Sequence, residues 1–163
     1  MALPATVSLL VRPSHARQNS LTAGPAGPRL APVTSRISHT SFDALDAYAQ
    51  SVFWSQVLDF REDPDDPNLP EHEECAIYSG DRREVLLFIT VPDRKQLKNR
   101  VHLDLRPVDR SREEEAERVI ALGATQVADF RRPDGRGWIT LADPEGNEFC
   151  ILSGAPPGGP TSS

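Results

Sequence analysis

The chain has 163 residues, of which 38% are hydrophobic and 26% charged, proportions expected of one globular domain rather than two. The formal net charge is −6, but all 24 acidic residues lie at or after Asp43, so residues 37–163 carry a balance of −10. An acidic surface repels phosphate backbones, and no apolar run approaches the length of a membrane span. We therefore expect this protein to bind neither nucleic acid nor a membrane.

The two cysteines, Cys75 and Cys150, are too few for a disulfide framework and lack CxxC spacing. They are expected to be reduced, partly buried thiols in a cytoplasmic protein. Glycine and proline residues between Gly24 and Pro32 predict that residues 1–32 are a disordered extension, and residues 154–163 a disordered tail. The folded unit is expected over residues 33–153.

In the first half of this unit, one segment with helical spacing of apolar residues lies between segments typical of strands. Residues 33–42 are predicted as a strand, and Asp43 as the cap of a helix that buries Val52, Phe53 and Val57. The acidic, proline-broken stretch 62–70 is predicted as a loop. Two further strands are predicted at residues 75–78 and 84–91.

The second half repeats this order. The predicted elements are a strand at residues 100–105, a helix that opens on the capping box of Ser111 and Glu114, and strands at 125–130, 137–142 and 148–152. A constant offset of 63 residues pairs His39 with His102 and Leu87 with Cys150. This recurrence predicts an α+β fold of two tandem βαβββ modules, at about residues 33–92 and 99–153, with a concave sheet surface between them.

Two strings carry a family resemblance: residues 99–105 (NRVHLDL) and residues 143–150 (DPEGNEFC). Together they resemble the vicinal-oxygen-chelate superfamily and, more narrowly, its glyoxalase-like domains, over about residues 35–153. The resemblance implies an open, curved mixed sheet that cups a small ligand, often in a homodimer. Members such as glyoxalase I, extradiol dioxygenases and fosfomycin-resistance transferases use a divalent metal.

In the glyoxalase I pattern, each module supplies a His or Gln from its first strand and a Glu from its last. By resemblance, the first-strand positions are His39 and His102, and the last-strand positions are Leu87 and Cys150. Leu87 has no donor atom, and Cys150 offers a thiolate where the pattern has a carboxylate. The chain therefore departs from the metal-binding pattern at half of its positions.

Several residues are candidates for the ligand pocket, and each also has a structural interpretation. His39 and His102 are expected to line one cavity, either as pocket residues or as metal ligands. Asp104 shares a strand face with His102 and either orients its ring or pairs with Arg100. Glu148 is either a catalytic base or a solvated acid at the end of a strand.

The last strands supply three more candidates. Cys150 is a nucleophile only if a cation depresses its pKa, and is otherwise a small buried residue. Trp138 and Thr140 alternate on one strand and are expected to line the cup, although a core role for Trp138 is equally compatible with the pattern.

Two functions remain open at this point. The first is binding of a small molecule in the cup between the modules, by a homodimeric protein without standard glyoxalase I activity. The alternative is a lyase or dioxygenase in which His39 and His102 hold a divalent metal such as zinc, nickel, manganese or iron.

Overall fold

The structure, a computed structural model, describes residues 35–154. The predicted N-terminal extension (1–32), the first residues of the predicted first strand and all but one residue of the predicted tail lie outside this range. The elements in chain order are β1 (Thr40–Ala44), α1 (Ala47–Leu58), β2 (Glu74–Tyr78), β3 (Val85–Thr90), β4 (Asp104–Leu105), α2 (Arg112–Ala121), β5 (Thr125–Asp129), β6 (Trp138–Ala142) and β7 (Glu148–Leu152). No helix of this described range is both long and apolar enough to cross a membrane.

The strands form two small mixed sheets, one from each half of the chain. The first has the order β1-β3-β2 and the second the order β4-β7-β6-β5. In both sheets the first strand of the module pairs parallel with the last, while the strands joined by hairpins pair antiparallel. The predicted α+β fold is confirmed.

The internal repeat predicted from the offset of 63 residues appears in the strand registers. Ser41 lies opposite Leu87 in the first sheet, and Asp104 lies opposite Cys150 in the second, so both partners differ by the same 63 positions. The first module departs from a full βαβββ unit, because within the described chain residues 62–66 form no strand where the second module has β5, and only the isolated bridges Arg61–Tyr78 and Asp63–Asp66 occur there. This stretch, Glu-Asp-Pro-Asp-Asp, combines a proline with four carboxylates and is unsuited to a strand.

Two local predictions differ from the structure. Asp46, not Asp43, caps α1, since its Oδ1 accepts a hydrogen bond from the backbone of Ala49 at 2.8 Å, whereas β1 continues to Ala44. The strand predicted over residues 100–105 is reduced to Asp104–Leu105. By contrast, the predicted capping box of α2 is present, with reciprocal bonds between Ser111 and Glu114.

The hydrophobic core is shared by both modules. α1 buries Phe53, Trp54 and Val57, while Val52, predicted to be inside, is 40% exposed. The Trp54 ring lies 5.0 Å from the ring of Phe149 on β7 and is nearly fully buried. An aromatic contact of this kind stabilises the pairing of the modules beyond its burial of apolar area.

A turn between β6 and β7 connects the modules through hydrogen bonds. Asp143 is 2% exposed, and its carboxylate accepts bonds from the backbone of Glu145 and Asn147 at 3.0 and 2.8 Å. The same carboxylate accepts a bond from the indole nitrogen of Trp54 at 3.3 Å. A charged acceptor with several donors is among the stronger polar interactions in a protein interior.

The next acidic residue of this turn binds the start of the first module's helix. The Glu145 carboxylate accepts hydrogen bonds from the backbone nitrogens of Leu45 at 2.7 Å and Asp46 at 2.9 Å. A carboxylate is favourable there because backbone N–H groups before a helix lack partners and carry partial positive charge. The string at residues 143–147 therefore has an architectural role, which explains its part in the family resemblance.

Candidate functional site

The second sheet presents a row of polar side chains on the face that does not pack against α2. Asp104 lies opposite Cys150, and Cys150 lies opposite Thr140, so the three residues cross β4, β7 and β6 in one line. Residues that oppose each other in a ladder project from the same face of the sheet. In the neighbouring row of the same face, Trp138 lies opposite Leu152.

This face forms an open cavity of about 450 Å³, which we call the second-module cavity. Its volume is in the range of small-molecule sites. It is lined by Lys98, His102, Asp104, Phe130, Trp138, Thr140, Glu148, Cys150 and Leu152. The structure thus brings together six of the predicted site residues, and His39 is the one that it leaves out.

His102, Asp104 and Cys150 form a compact polar cluster in this cavity. The Nε2 atom of His102 lies 3.4 Å from Oδ1 of Asp104, and one donor atom from each of the three residues lies within 4.8 Å of the others. Asp104 therefore faces His102 rather than Arg100. A carboxylate in this position orients an imidazole ring and selects its tautomer.

The Cys150 thiol has the environment of an unreactive cysteine. Burial raises its pKa above the ordinary value, and the nearby charge of Asp104 acts in the same direction. Its sulfur lies 3.6 Å from Oγ1 of Thr140, and the residue is 5% exposed. The thiol is protonated at neutral pH, so these surroundings do not support the nucleophile interpretation.

Glu148 anchors the segment that leads into the site. Burial acts to raise its pKa, but hydrogen bonds from the backbone of Asn99 and from Lys95, each 3.0 Å long, outweigh burial and hold the pKa below its ordinary value. A carboxylate with a lowered pKa and two engaged donors is a weak base. These contacts favour the structural interpretation of Glu148 over a catalytic one.

Replacement of Glu148 by glutamine is expected to lower the free energy of unfolding by about 1 kcal/mol at pH 7, since it removes a partly buried charged acceptor. The folded-state pKa is depressed, so the stabilisation is complete above the ordinary value of 4.5 and is lost as the pH falls through the folded-state value. Urea denaturation of both proteins at decreasing pH should show the difference shrinking. Glu117→Gln, at an exposed helix position, is the control, and a pH-independent difference for Glu148→Gln would contradict this account.

Two aromatic rings form the apolar wall of the second-module cavity. Phe130 and Trp138 have ring centroids 5.1 Å apart, and their residues remain 51% and 38% exposed. The loop between them is held by Arg112, a 7% exposed residue whose Nη1 donates to the carbonyl of Gly137 at 2.9 Å. Large aromatic side chains left partly exposed beside polar groups are typical of ligand-binding surfaces.

The first module lacks an equivalent cluster. By the offset of 63 residues, the counterparts of His102, Asp104 and Cys150 are His39, Ser41 and Leu87. His39 precedes β1, is exposed, and has its Nδ1 atom 3.3 Å from the hydroxyl of Ser38. It lines a different cavity of about 540 Å³, so the two histidines do not face one site within the chain.

A further cavity lies between the modules, and we call it the junction cavity. It has a volume of about 580 Å³ and is bounded by β1 and by the linker at residues 91–103. Among the predicted site residues, only His102 lines it. The junction cavity lies where the cup between the modules was predicted. Most of the predicted ligand residues instead line the second-module cavity.

The second-module cavity includes residues that the sequence analysis missed: Lys98, Phe130 and Leu152. Leu152 shares the alternation of Glu148 and Cys150 on β7 and could have been assigned from it. Phe130 donates its backbone N–H to Trp138 at 2.9 Å, which depends on a hairpin register that the sequence does not specify. Lys98 lies in an irregular segment without the periodicity of a helix or strand, so its position in the cavity could not be predicted from the pattern.

The donor set of the cluster can be compared with the preferences of divalent metals. Imidazole, carboxylate and thiolate together suit zinc, whereas manganese and magnesium prefer oxygen donors. The cluster of His102, Asp104 and Cys150 therefore fits zinc better than it fits manganese.

Comparisons with known proteins agree with the architecture. The family model described as a glyoxalase-like domain matches residues 39–152. No curated protein matches the sequence. Similar solved structures include a glyoxalase/bleomycin resistance protein/dioxygenase family enzyme from Burkholderia phytofirmans, with 22% identity, a TM-score of 0.53, and coverage of 70% of this chain and 94% of the other.

Two fosfomycin resistance proteins named FosX are also similar in fold. The one from Mesorhizobium loti has 21% identity and a TM-score of 0.54, covering 76% of this chain and 94% of the other. A FosX variant from Listeria monocytogenes, solved with Mn(II) and 1S,2S-dihydroxypropylphosphonic acid, has 19% identity and a TM-score of 0.56, covering 76% and 95%. At these identities the likeness concerns the fold, and the family model extends it to the sequence: the chain belongs to the glyoxalase-like domains of the vicinal-oxygen-chelate superfamily.

Proposed function

We propose that this chain binds a small organic molecule in the second-module cavity and has no standard glyoxalase I activity. The observation that carries the proposal is the pair of exposed rings, Phe130 and Trp138, which lines the same cavity as the polar row of Asp104, Cys150 and Thr140. An apolar wall beside a few fixed polar groups is the usual composition of a small-molecule site. The absence of glyoxalase I activity is supported by Leu87, which has no donor atom.

A ligand screen monitored by tryptophan fluorescence tests this proposal. The chain has two tryptophans: Trp54 is buried in the core, while Trp138 lines the cavity. A ligand in the second-module cavity is expected to change the emission of the wild-type protein and to leave that of Trp138→Phe unchanged, since Trp54 does not contact the site. Ligands that change the emission of both proteins equally would place binding elsewhere and contradict the proposal.

A metal-dependent lyase or dioxygenase is the second candidate, and the donor cluster of the second module favours it. His102, Asp104 and Cys150 would hold the metal, which would act as a Lewis acid on a substrate oxygen. In this arrangement His102 would supply an imidazole nitrogen, Asp104 a carboxylate oxygen and Cys150 a thiolate. The pairing of His39 with His102 that the resemblance implies has no support from their positions within one chain.

Metal analysis of untagged protein, purified without chelator and incubated with zinc, tests this second candidate. We expect His102→Ala and Cys150→Ser to lose bound zinc, because each removes one of three clustered donors. His39→Ala is the matched control and should retain it. Equal zinc content in all four proteins, or none in the wild type, would reject the candidate. The homodimer that the family resemblance implies stays a prediction, which light scattering can test against the chain mass of 17.9 kDa.

A further inference from the structure

The linker before β4 concentrates positive charge in an otherwise acidic protein. Residues 94–100 (RKQLKNR) contain four basic residues and no acidic one, and both lysines of the chain lie within them. Arg94 and Arg100 line the junction cavity, whereas Lys98 lines the second-module cavity. A local charge opposite to that of the whole chain concentrates counter-ions at that place.

The two lysines differ in whether they form an ion pair with a carboxylate of the described residues. The Lys95 ammonium lies 3.0 Å from the carboxylate of Glu148, and its side chain is 22% exposed. Lys98 has no carboxylate within ion-pair distance among residues 35–154 and is exposed. Its charge nevertheless reaches the cavity floor: burial raises the pKa of the Cys150 thiol, and Lys98 opposes that rise.

The acidic groups of the cavity are engaged by other partners. Glu148 accepts from Lys95 and from the backbone of Asn99, while Asp104 faces the imidazole of His102 at 3.4 Å. Among residues 35–154, Lys98 is the one lysine or arginine that lines this cavity, and it forms no ion pair with a carboxylate.

We infer that the second-module cavity takes a flat aromatic molecule bearing one anionic group, with its ring against Trp138 and Phe130 and its anion on Lys98. This inference rests on the proposed binding function and specifies the class of ligand. The partly exposed rings supply an apolar surface of the right shape for a planar ligand, and their desolvation strengthens a neighbouring ion pair. A volume of about 450 Å³ accommodates a molecule of one or two fused rings.

Calorimetric titration with a matched pair of probes, 2-naphthoate and its neutral amide 2-naphthamide, tests this inference. The two differ in charge but share the ring, so their affinity ratio isolates the contribution of the anion. We expect the wild-type protein to bind the carboxylate about five- to tenfold more tightly than the amide, and Lys98→Gln to abolish this preference while the amide still binds. Arg94→Gln removes one charge from the same linker outside the cavity and should keep the preference.

Three other outcomes would overturn the inference. Equal affinity of the two probes for the wild type, or a preference that survives in Lys98→Gln, would overturn the anionic ligand class while leaving small-molecule binding in place. Failure of both probes to bind would also overturn the inference, and the fluorescence comparison of wild type with Trp138→Phe would then decide separately whether the cavity binds other molecules.

Discussion

Replacing Asp143 by alanine is expected to lower the free energy of unfolding by about 3–4 kcal/mol, a large effect for a single substitution. The carboxylate is 2% exposed and accepts hydrogen bonds from two backbone nitrogens of its own turn, and from the indole of Trp54 in the other module. Alanine would leave the buried indole nitrogen of Trp54 without a partner and remove the acceptor of two part-buried backbone nitrogens. Chemical denaturation monitored by Trp54 fluorescence measures the loss.

A matched control separates the buried network from the removal of an acidic side chain. Asp65 is exposed and lies in the loop between α1 and β2, so Asp65→Ala should change the free energy of unfolding by about 0.5 kcal/mol or less. A similar small effect for Asp143→Ala would show that its turn does not hold the two modules together.

Substitution of Gly137 by alanine is expected to destabilise the protein by about 3 kcal/mol or more, or to rearrange the loop before β6. Gly137 has φ +96°, and a Cβ atom there would lie 2.0 Å from the carbonyl oxygen of Phe130. The surrounding backbone is held by the bond from Phe130 to Trp138 and by Arg112, so it has little freedom to yield. The same displacement would separate Phe130 from Trp138 and remove the aromatic wall.

Gly135→Ala is the matched control for this substitution. Gly135 has φ +79°, but no atom lies within 4 Å of the Cβ that alanine would add, so only backbone strain of about 1–2 kcal/mol is expected. We expect Gly137→Ala to lose ligand binding and Gly135→Ala to retain it. Equal stability and equal binding in the two variants would contradict the role assigned to the loop.

Much of the fold was predictable because its signals are local. The capping box of Ser111 and Glu114 and the alternation in β7 each depend on a few adjacent residues, and the duplication is visible as a constant offset. The position of α1 was less predictable. Asp43 and Asp46 are both suitable caps, and the choice between them depends on how far β1 pairs with β3.

The buried face of α1 illustrates a second limit. Phe53 and Val57 are buried as predicted, but Gln50 and Ser51 are each 2% exposed while Val52 is 40% exposed, so hydrophobicity alone did not predict the whole buried face. The packing of Trp54 against Phe149, 95 positions further along the chain, determines the rotation of the helix. Such a contact depends on how the two modules pair, and the spacing of residues in the sequence does not specify this pairing.

The candidate site likewise has features that the sequence predicts and features that it does not. Asp104, Thr140 and Cys150 were predicted as pocket residues, but their alignment in one row depends on the register of β4, β7 and β6. The separation of His39 from His102 depends on the arrangement of the two sheets. The roles of Glu148 and Lys98 depend on the course of the irregular linker, in particular on the bond from Asn99 to Glu148. No periodic pattern describes a segment of this kind.

We propose the second-module cavity, and not the junction cavity, as the ligand site. A crystal structure of the protein with the tightest binder from the fluorescence screen tests this assignment most directly. We expect electron density for the ligand against Trp138 and Phe130, within contact of His102 and Lys98. Density in the junction cavity between β1 and the linker, or beside His39, with Trp138 left uncovered, would contradict it.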